Sequence, residues 1–482
     1  MKRFSLCLAA ATLLAVSALH PWVPNALAQG PAPAQDMKPP APESSSLGKN
    51  VLLIIIDDVG AEKVGAYGMH GDAGPTPTID GLCARGVRFE TAWATPYCSP
   101  TRAAILTGRL PSRTGIGAVV MSDSKTAGLS LGETLIPEAL MGPAPDDSNA
   151  RRSGPKSALI GKWHLCCLTD DNGHPLRSGF DVFTGTRSNL RPRKNPLAFF
   201  NAQRTIGGRS RAKRGYMTTV TTDDALDAIK GFGDEPWFVV VSYHAAHFPL
   251  HAPPKDLHSF ELEGDPMASP VPHHRAAVEA MDREIGRLLE SLPGGALAET
   301  NVMVIGDNGT QRPALDGPFE GLTGKGSLGE AGIRVPLVIA GPSVKNPGRV
   351  HRGLVHAVDL FPTVLGLMGA EPRQPVDSAR PIDGVSLVPV LGNLEAAKLR
   401  SHIYTELFRP NHALPGERTS YGWAIRSATH KLVMRTKGAA PELFDLIKDP
   451  TERVDLLSAE EPGPEAIRIA KELQAARDRL GL

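Results

Sequence analysis

The sequence contains few cysteines, five in 482 residues. Cys7 lies in an N-terminal segment that we expect to be removed, which leaves Cys83, Cys98, Cys166 and Cys167. Four cysteines in so long a chain exclude a disulfide scaffold, and their spacing matches no zinc site. Cys83 falls within a predicted amphipathic helix and is interpreted as a core thiol. Cys98, which we place in a loop, therefore needs another explanation.

Beyond its N-terminus the chain lacks an apolar run long enough to cross a bilayer, which takes about 20 residues. Residues 1–28 combine a basic start, a short apolar stretch and a small-residue cleavage site, the pattern of a secretory signal peptide. An uncleaved anchor is the alternative, which the short apolar stretch disfavours. Residues 29–47 are rich in Pro, Ala and Ser, and are predicted to form a flexible leader. We expect an exported protein, periplasmic or secreted, with no membrane span.

The sequence also lacks an excess of either charge, with 52 Lys and Arg against 51 Asp and Glu. The net charge therefore points to no class of partner. One stretch, 187–214, is nevertheless basic, and no acidic residue occurs between Val182 and Thr222. It predicts either a solvated loop or a rim that steers anionic substrates. We do not expect nucleic-acid binding, because no recognised motif accompanies the stretch.

Short β-rich runs alternate with helical patterns, which predicts an α/β fold with a mainly parallel sheet. In such sheets, ligands gather beyond the carboxyl ends of the strands. Polar residues follow four of the predicted strands. These residues are Asp57-Asp58 after the run 50–56, Lys162 and His164 after 157–160, His244 and His247 after 237–242, and Asp307-Asn308 after 301–305.

Each of these polar groups, taken alone, has an ordinary structural explanation as a cap, a turn or a surface residue. If the strands before Asp57-Asp58 and Asp307 are neighbours, however, three carboxylates converge. Their mutual repulsion and desolvation then need compensation, for which a divalent cation is the usual solution. Carboxylate oxygens together with the Asn308 amide suit Ca²⁺ or Mg²⁺ better than zinc.

The order and spacing of the motifs resemble the sulfatase family, a formylglycine-dependent, arylsulfatase-like branch of the alkaline phosphatase superfamily. The resemblance runs from about Val51 to Leu456. The motifs that carry it are Asp57-Asp58-Val59-Gly60, Cys98-Ser99-Pro100-Thr101-Arg102, Gly161-Lys162-Trp163-His164, His247-Phe248-Pro249, Asp307-Asn308-Gly309 and Gly324-Lys325-Gly326.

The resemblance implies an alkaline-phosphatase-like α/β fold, with a large, mixed, mainly parallel sheet between helices. It also implies a smaller C-terminal domain built on an antiparallel sheet. We expect the catalytic domain at 48–391 and a small α+β domain at 392–482, with strands near 423–426 and 431–434 and a helix at 464–480. The polar segment 142–155 is predicted to be a surface insertion.

The resemblance further implies the chemistry. Cys98 matches the cysteine that a maturation enzyme oxidises to formylglycine, an aldehyde. Its hydrate attacks the sulfur of a sulfate ester and expels the alcohol, and its second hydroxyl then releases the sulfate. The ligands of one divalent metal, expected to be Ca²⁺ with Mg²⁺ as the alternative, match Asp57, Asp58, Cys98, Asp307 and Asn308.

The remaining candidate residues match cationic or proton-donating groups of the family. Arg102 matches the arginine that holds the formylglycine hydrate. The groups that bind the sulfate or protonate the leaving oxygen match Lys162, His164, His247 and Lys325. We favour His247 over His244 as the proton donor, because only His247 has the family's His-x-Pro spacing.

We therefore expect an exported sulfatase that hydrolyses sulfate monoesters to an alcohol or phenol and sulfate. The natural ester, whether aryl, sugar or steroid, is left open. One alternative is a phosphonate or phosphate ester hydrolase of the same superfamily, because these reactions need the same cations. The other is a non-catalytic binding protein on the same scaffold, which would follow if Cys98 is not modified.

Overall fold

A computed structural model of the chain describes residues 48–121, 128–141, 154–167, 172–190, 196–370, 380–392 and 399–482. The predicted signal peptide and leader, and most of the predicted insertion at 142–155, lie outside these residues. Within them, no helix combines the length and the hydropathy that a membrane span requires.

The described residues contain one large sheet of eleven strands. Its strands are β1 Asn50–Ile56, β2 Gly86–Trp93, β3 Lys156–Lys162, β4 Val182–Thr186, β5 Asn201–Ile206, β6 Arg209–Arg214, β7 Trp237–Ser242, β8 Thr300–Gly306, β9 Arg334–Val335, β10 Leu337–Ala340 and β11 Arg349–His356. Their order is β11-β2-β10-β8-β1-β7-β3-β4-β5-β6, and β9 pairs with β2. The central strands β8, β1, β7, β3 and β4 are parallel, whereas β10, β5 and β6 run antiparallel to their neighbours. The predicted mixed, mainly parallel sheet is confirmed.

Helices cover both faces of this sheet. In chain order they are α1 Pro77–Arg85, α2 Cys98–Thr107, α3 Pro111–Thr114, α4 Ile136–Leu140, α5 His174–Arg177, α6 Met217–Phe232, α7 Pro270–Glu290, α8 Glu330–Ile333, α9 Leu360–Leu367, α10 Val388–Leu391 and α11 Pro464–Asp478.

Strand β1 is buried throughout, and alternate residues point into two separate cores. Val51 and Leu53 join the core under α2 and α9, whereas Leu52 and Ile54 join the core under α6 and α7. Burial on both faces explains why β1 is apolar without alternation.

A second, antiparallel sheet follows near the C-terminus. Its strands, in spatial order, are β12 Ile403–Arg409, β13 Ser420–Arg426, β14 His430–Met434 and β15 Glu442–Asp445. Helix α11 packs on β13 and β14 through Leu473, which belongs to the same core as Trp423 and Leu432. The predicted antiparallel C-terminal sheet and the helix near the end of the chain are confirmed.

Part of the basic stretch 187–214 forms a hairpin rather than a loop. Strands β5 and β6 pair antiparallel and make one edge of the large sheet, and all residues of β6 are exposed. Charged side chains along an edge strand discourage pairing with another chain. This is a structural explanation for the basic side chains of β6. Arg191, Arg193 and Lys194 lie outside the described residues, and substrate steering by this stretch stays a prediction.

Candidate active site

The strand ends that carry the predicted site residues meet at one edge of the large sheet. Strand β1 pairs in parallel with both β7 and β8, so that Ile56 lies opposite Gly306 and Ile55 opposite Ser242. The backbone N–H of Asp307 then donates to the carbonyl of Ile56 at 3.1 Å. The expectation that Asp57, Asp58 and Asp307 converge is therefore correct.

Cys98 is the first residue of helix α2 and does not lie in a loop, so that expectation was wrong. The Thr95-Pro96 and Ser99-Pro100 pairs suggest turns. Pro100 is nevertheless compatible with the first turn of a helix, because the N–H that proline lacks would have no partner within the helix at that position. The Cys98 side chain is fully buried, and its Sγ lies 3.2 Å from Nδ1 of His164. Burial raises the pKa of this thiol, although the neighbouring Lys162 and Lys325 oppose the shift.

Arg102, one turn further along α2, is buried and joins three elements. Its Nε and Nη2 donate to Oδ2 of Asp307 at 3.1 and 2.7 Å, and Nη1 donates to the carbonyl of Lys162 at 2.9 Å and to Oγ of Ser242 at 2.5 Å. The same guanidinium lies 3.8 Å from Asp57. Burial and repulsion from Asp57 still raise the pKa of Asp307 to about 6, against the attraction of Arg102.

Asp58 is held by three donors. Its Oδ1 accepts from Nδ2 of Asn308 at 2.7 Å and from Nζ of Lys325 at 2.5 Å, and its Oδ2 accepts from Nε2 of Gln311. Burial would raise the pKa of Asp58, but Lys325, and after it His247 and Lys162, outweigh that effect and lower it. Gln311 is a site residue that the sequence analysis missed, and its place three residues after Asn308 was the only signal for it.

Three histidines lie around this group, of which His164 and His244 are buried and His247 is half-buried. His164 contacts Cys98, and burial, reinforced by the charge of Lys162, lowers its pKa well below the usual value. His247 has Nε2 at 3.8 Å from Oδ2 of Asp58, and burial and Lys325 lower its pKa to about 3. His244 instead bonds with Oγ1 of Thr186 at 2.7 Å. It is a neighbour of the site, as its sequence context predicted.

The backbone is strained at two of these positions. Asp58 and His164 adopt φ values of 60° and 64°, in the left-handed region that a non-glycine residue rarely occupies. Such conformations cost about 1–3 kcal/mol and concentrate at functional sites, where the surrounding structure enforces them. Here the hydrogen bonds of Asp58 and the contact of His164 with Cys98 supply that constraint.

The residues fit a hard divalent cation. Single ligand atoms of Asp57, Cys98 and Asp307 lie within 4.8 Å of one another, as do those of Asp57, Asp58 and His247. Among the described residues, Oδ1 of Asp57 and Oδ1 of Asn308 are buried polar atoms without a hydrogen-bond partner. Two buried acceptors that no protein donor satisfies, beside two further carboxylates, suit a cation that prefers oxygen ligands.

The comparisons with known proteins agree with this geometry. The model of the Sulfatase family matches residues 49–370, and a model described as N-sulphoglucosamine sulphohydrolase, C-terminal, matches residues 320–479. N-acetylgalactosamine-6-sulfatase of Homo sapiens is 30% identical over 89% of this chain and 86% of its own length. Arylsulfatase A of Homo sapiens is 29% identical over 89% of this chain and 88% of its own length.

A solved structure shares the fold. The crystal structure of Ps i-CgsB in complex with k-i-k-neocarrahexaose superposes with a TM-score of 0.71 over 90% of this chain and 92% of its own, at 24% identity. A family match that spans most of the large sheet, together with relatives aligned over nearly nine tenths of the chain, leaves one conclusion. The chain belongs to the sulfatase family and is a sulfuric ester hydrolase of the arylsulfatase-like kind.

Proposed function

We propose that this enzyme hydrolyses sulfate monoesters to an alcohol or phenol and sulfate, with residue 98 as the nucleophile after oxidation of Cys98 to formylglycine. The observation that supports this most directly is the position of Cys98. Its Sγ belongs to the same cluster of ligand atoms as Asp57 and Asp307, at the N-terminus of α2. A nucleophile at that point faces both a cation site and the positive end of a helix.

The metal site in this proposal consists of Asp57, Asp58, Asp307 and Asn308, with residue 98 as the fifth ligand. When bound, a Ca²⁺ or Mg²⁺ ion supplies positive charge that polarises sulfate oxygens and the nucleophilic hydroxyl. Lys162 and Lys325, which here pair with Asp57 and Asp58, keep the remaining carboxylate charge balanced. Both ammonium groups act on Cys98, because each opposes the rise that burial causes in the pKa of its thiol.

The unmodified thiol is a weak nucleophile in this position, because burial raises its pKa and keeps it protonated. The hydrate of formylglycine instead supplies two hydroxyl groups, one to attack sulfur and one to expel the sulfate afterwards. His164, at 3.2 Å from Sγ, is placed to exchange a proton with residue 98. Arg102 fixes the first turn of α2 against Asp307 and so holds residue 98 in register.

Binding of the sulfate and protonation of the leaving group fall to the cations and to His247. A sulfate ester spreads negative charge over several oxygens, and Lys162, Lys325 and His164 surround the place where it would lie. Nδ1 of His247 donates to the carbonyl of Phe248 at 2.6 Å, which directs Nε2 towards Asp58 and the cation cluster. Nε2 therefore carries a proton only in the imidazolium, which the negative charge of a bound sulfate ester would favour, and that proton can pass to the leaving oxygen.

The test is to determine the state of residue 98 together with the activity. Mass spectrometry of the Cys98 peptide, from protein made in a host with a maturation enzyme, should show the lower mass of formylglycine. Cys98→Ala should abolish hydrolysis of para-nitrophenyl sulfate, whereas Cys83→Ala, a buried thiol of α1, should retain it. An unmodified thiol in fully active protein would overturn the nucleophile that we propose.

A phosphate or phosphonate ester hydrolase of the same superfamily would use the same cations. Paired assays with the sulfate and the phosphate ester of one phenol separate the two activities. A kcat/KM for the phosphate ester above that for the sulfate ester would reverse the order of the two proposals. An unmodified thiol without activity would favour the binding protein instead.

We also propose export through residues 1–28, and two domains with their boundary near residue 391. The first is supported by the basic and apolar pattern of the N-terminus. The second is supported by the antiparallel sheet β12–β15, which is separate from the large sheet and packs against α11. N-terminal sequencing of the protein recovered from the periplasm or the medium tests the cleavage after residue 28.

A further inference from the structure

A basic cleft lies away from the cation cluster, between strand β11 and the C-terminal sheet. Its volume is about 820 Å³, and it is lined by residues 349–354, by 400–402 and by the turn 427–429 between β13 and β14. Its charged and imidazole side chains are Arg349, His351, Arg352, Arg400 and His402. No carboxylate belongs to this lining, which consists of described residues only.

Among the described residues, most of the positive charge in the basic cleft has no carboxylate partner. Arg400 pairs with the buried Asp359, whereas Arg349 donates, within this part of the chain, only to backbone carbonyls, including that of Lys345 at 2.9 Å. Arg352 is exposed, and among the described residues it has no ion pair. Guanidinium groups that share a cleft without carboxylates repel one another, and an anion from solution relieves this repulsion.

A second arginine-lined cleft, of about 440 Å³, shows that this lack of partners is not general. Each of its arginines faces a carboxylate. The pairs are Arg109–Glu133 at 2.6 Å, Arg113–Asp383 at 2.8 Å and Arg418–Glu406 at 3.7 Å. The second cleft therefore lacks the unpaired arginines that the basic cleft contains.

We propose that the basic cleft binds a sulfate group carried on a saccharide chain, as a second contact for sulfated substrates. The proposal rests on the proposed function, in which the substrates carry sulfate esters. Guanidinium groups bind tetrahedral oxyanions through paired N–H donors. Hydroxyl groups of Ser401, Ser427 and Thr429 in the lining can bond with sugar hydroxyls. The lining has no Phe, Tyr or Trp on which a nucleobase could stack, which disfavours nucleic acid.

The position of the basic cleft makes it a second contact rather than part of the reacting site. Arg349, at the start of β11, pairs with Val87 of β2. Strand β2 continues for six more residues to Trp93, and the chain leads from there to Cys98. At about 3.3 Å per residue, the start of β11 lies roughly 20 Å from that end of the sheet. A saccharide that reaches both places must be an oligomer, so the cleft would favour polymeric over small substrates.

Arg352 offers the sharpest test, because its side chain is exposed and its replacement leaves no buried carboxylate unpaired. Lys230, equally exposed on helix α6 and also without an ion pair among the described residues, is the control for reversal of a surface charge outside both the basic cleft and the stretch 187–214. Binding is measured by calorimetry on Cys98→Ala protein, in which turnover is blocked. The probes are a sulfated hexasaccharide, the same hexasaccharide after desulfation, and sodium sulfate.

We expect Arg352→Glu to weaken binding of the sulfated hexasaccharide by about tenfold, the scale of one lost charged hydrogen bond. Arg352→Lys should recover part of the affinity, and Lys230→Glu should leave it unchanged. Desulfated hexasaccharide and free sulfate should bind more weakly to every variant. With Cys98 intact, hydrolysis of para-nitrophenyl sulfate should be the same in the Arg352→Glu and Lys230→Glu proteins.

Equal losses in Arg352→Glu and Lys230→Glu would show general electrostatic attraction and would overturn the proposal. Unchanged affinity in Arg352→Glu would do the same, as would sodium sulfate or desulfated hexasaccharide binding as tightly as the sulfated hexasaccharide. A failure of the proposed function looks different. No sulfate ester would then be hydrolysed, while the loss of binding in Arg352→Glu persisted.

Discussion

Lys431 of the C-terminal sheet lies 3.3 Å from Glu330 of helix α8, and both side chains are buried. The same ammonium group pairs with Glu452 at 2.5 Å, and Glu452 in turn accepts the backbone N–H of Glu330 at 2.8 Å. Helix α8 begins five residues after Lys325. The C-terminal sheet thus holds the segment that carries a candidate catalytic lysine.

Lys431→Met should destabilise the protein by about 3–5 kcal/mol, because it removes the lysine that pairs with two buried carboxylates and leaves Glu330 only the more distant Arg426, at 3.5 Å. The free energy of unfolding in a denaturant titration measures this. Arg435→Gln, which removes the exposed pair with Glu442 in the same sheet, should cost at most about 1 kcal/mol. Equal and small losses in both variants would contradict the importance of the buried pair.

Arg102→Lys should lower kcat for para-nitrophenyl sulfate by at least about a hundredfold, the usual cost of one misplaced donor in a catalytic site. Lysine keeps the charge but cannot reach Asp307, Ser242 and the carbonyl of Lys162 together. The measurement is steady-state kinetics on folded protein, with Arg113→Lys as the control outside the site. Near-normal turnover in Arg102→Lys would show that the three-way bridge is dispensable.

His247→Ala should slow the hydrolysis of an alkyl sulfate much more than that of para-nitrophenyl sulfate. The phenolate leaves without help, whereas the alkoxide needs a proton, and a general acid is worth about 10²–10⁴ in rate. His244→Ala, whose imidazole contacts Thr186, should show no such selectivity. If His247→Ala slows both substrates by the same factor, His247 is not the proton donor.

Removal of divalent cations should abolish activity and lower the melting temperature. Burial and the charge of Asp57 raise the pKa of Asp307, and a cation bound among these carboxylates would offset both effects. Ca²⁺ restored at about 100 times its Kd should add about 2.7 kcal/mol to the free energy of unfolding.

The control for this prediction is Asp307→Asn, which keeps the size of a ligand but removes its charge. It should reduce the stabilisation by Ca²⁺. Full activity in protein that elemental analysis shows to be free of metal would rule out the cation site. Repeating the titration with Mg²⁺ tests which of the two ions the site prefers.

Much of the fold and of the site follows from local sequence. The continuous apolar run of β1 requires burial on both faces, and the polar residues after β1 and β8 then fall at one edge of a parallel sheet. Asp57 and Asp307 were found in this way, because strand ends are visible in sequence. The cysteine count alone separated Cys98 from a disulfide or zinc role.

Other features depend on contacts between distant segments. The turn after β8 brings Gln311 to Asp58, and the distance between these two side chains cannot be read from the sequence. The helical start at Cys98 also escaped prediction, because Ser99-Pro100 is equally compatible with a turn and with a first helical turn.

The order of residues along the chain sets which chemical groups are available, and its periodicity predicts the strands and helices that carry them. Which of those groups meet depends on how the strands and helices pack. Asp58 and Lys325 are separated by 267 residues and touch at 2.5 Å. Such contacts arise because the burial of apolar faces fixes the positions of the strands and helices, and this in turn fixes the positions of the polar groups at their ends.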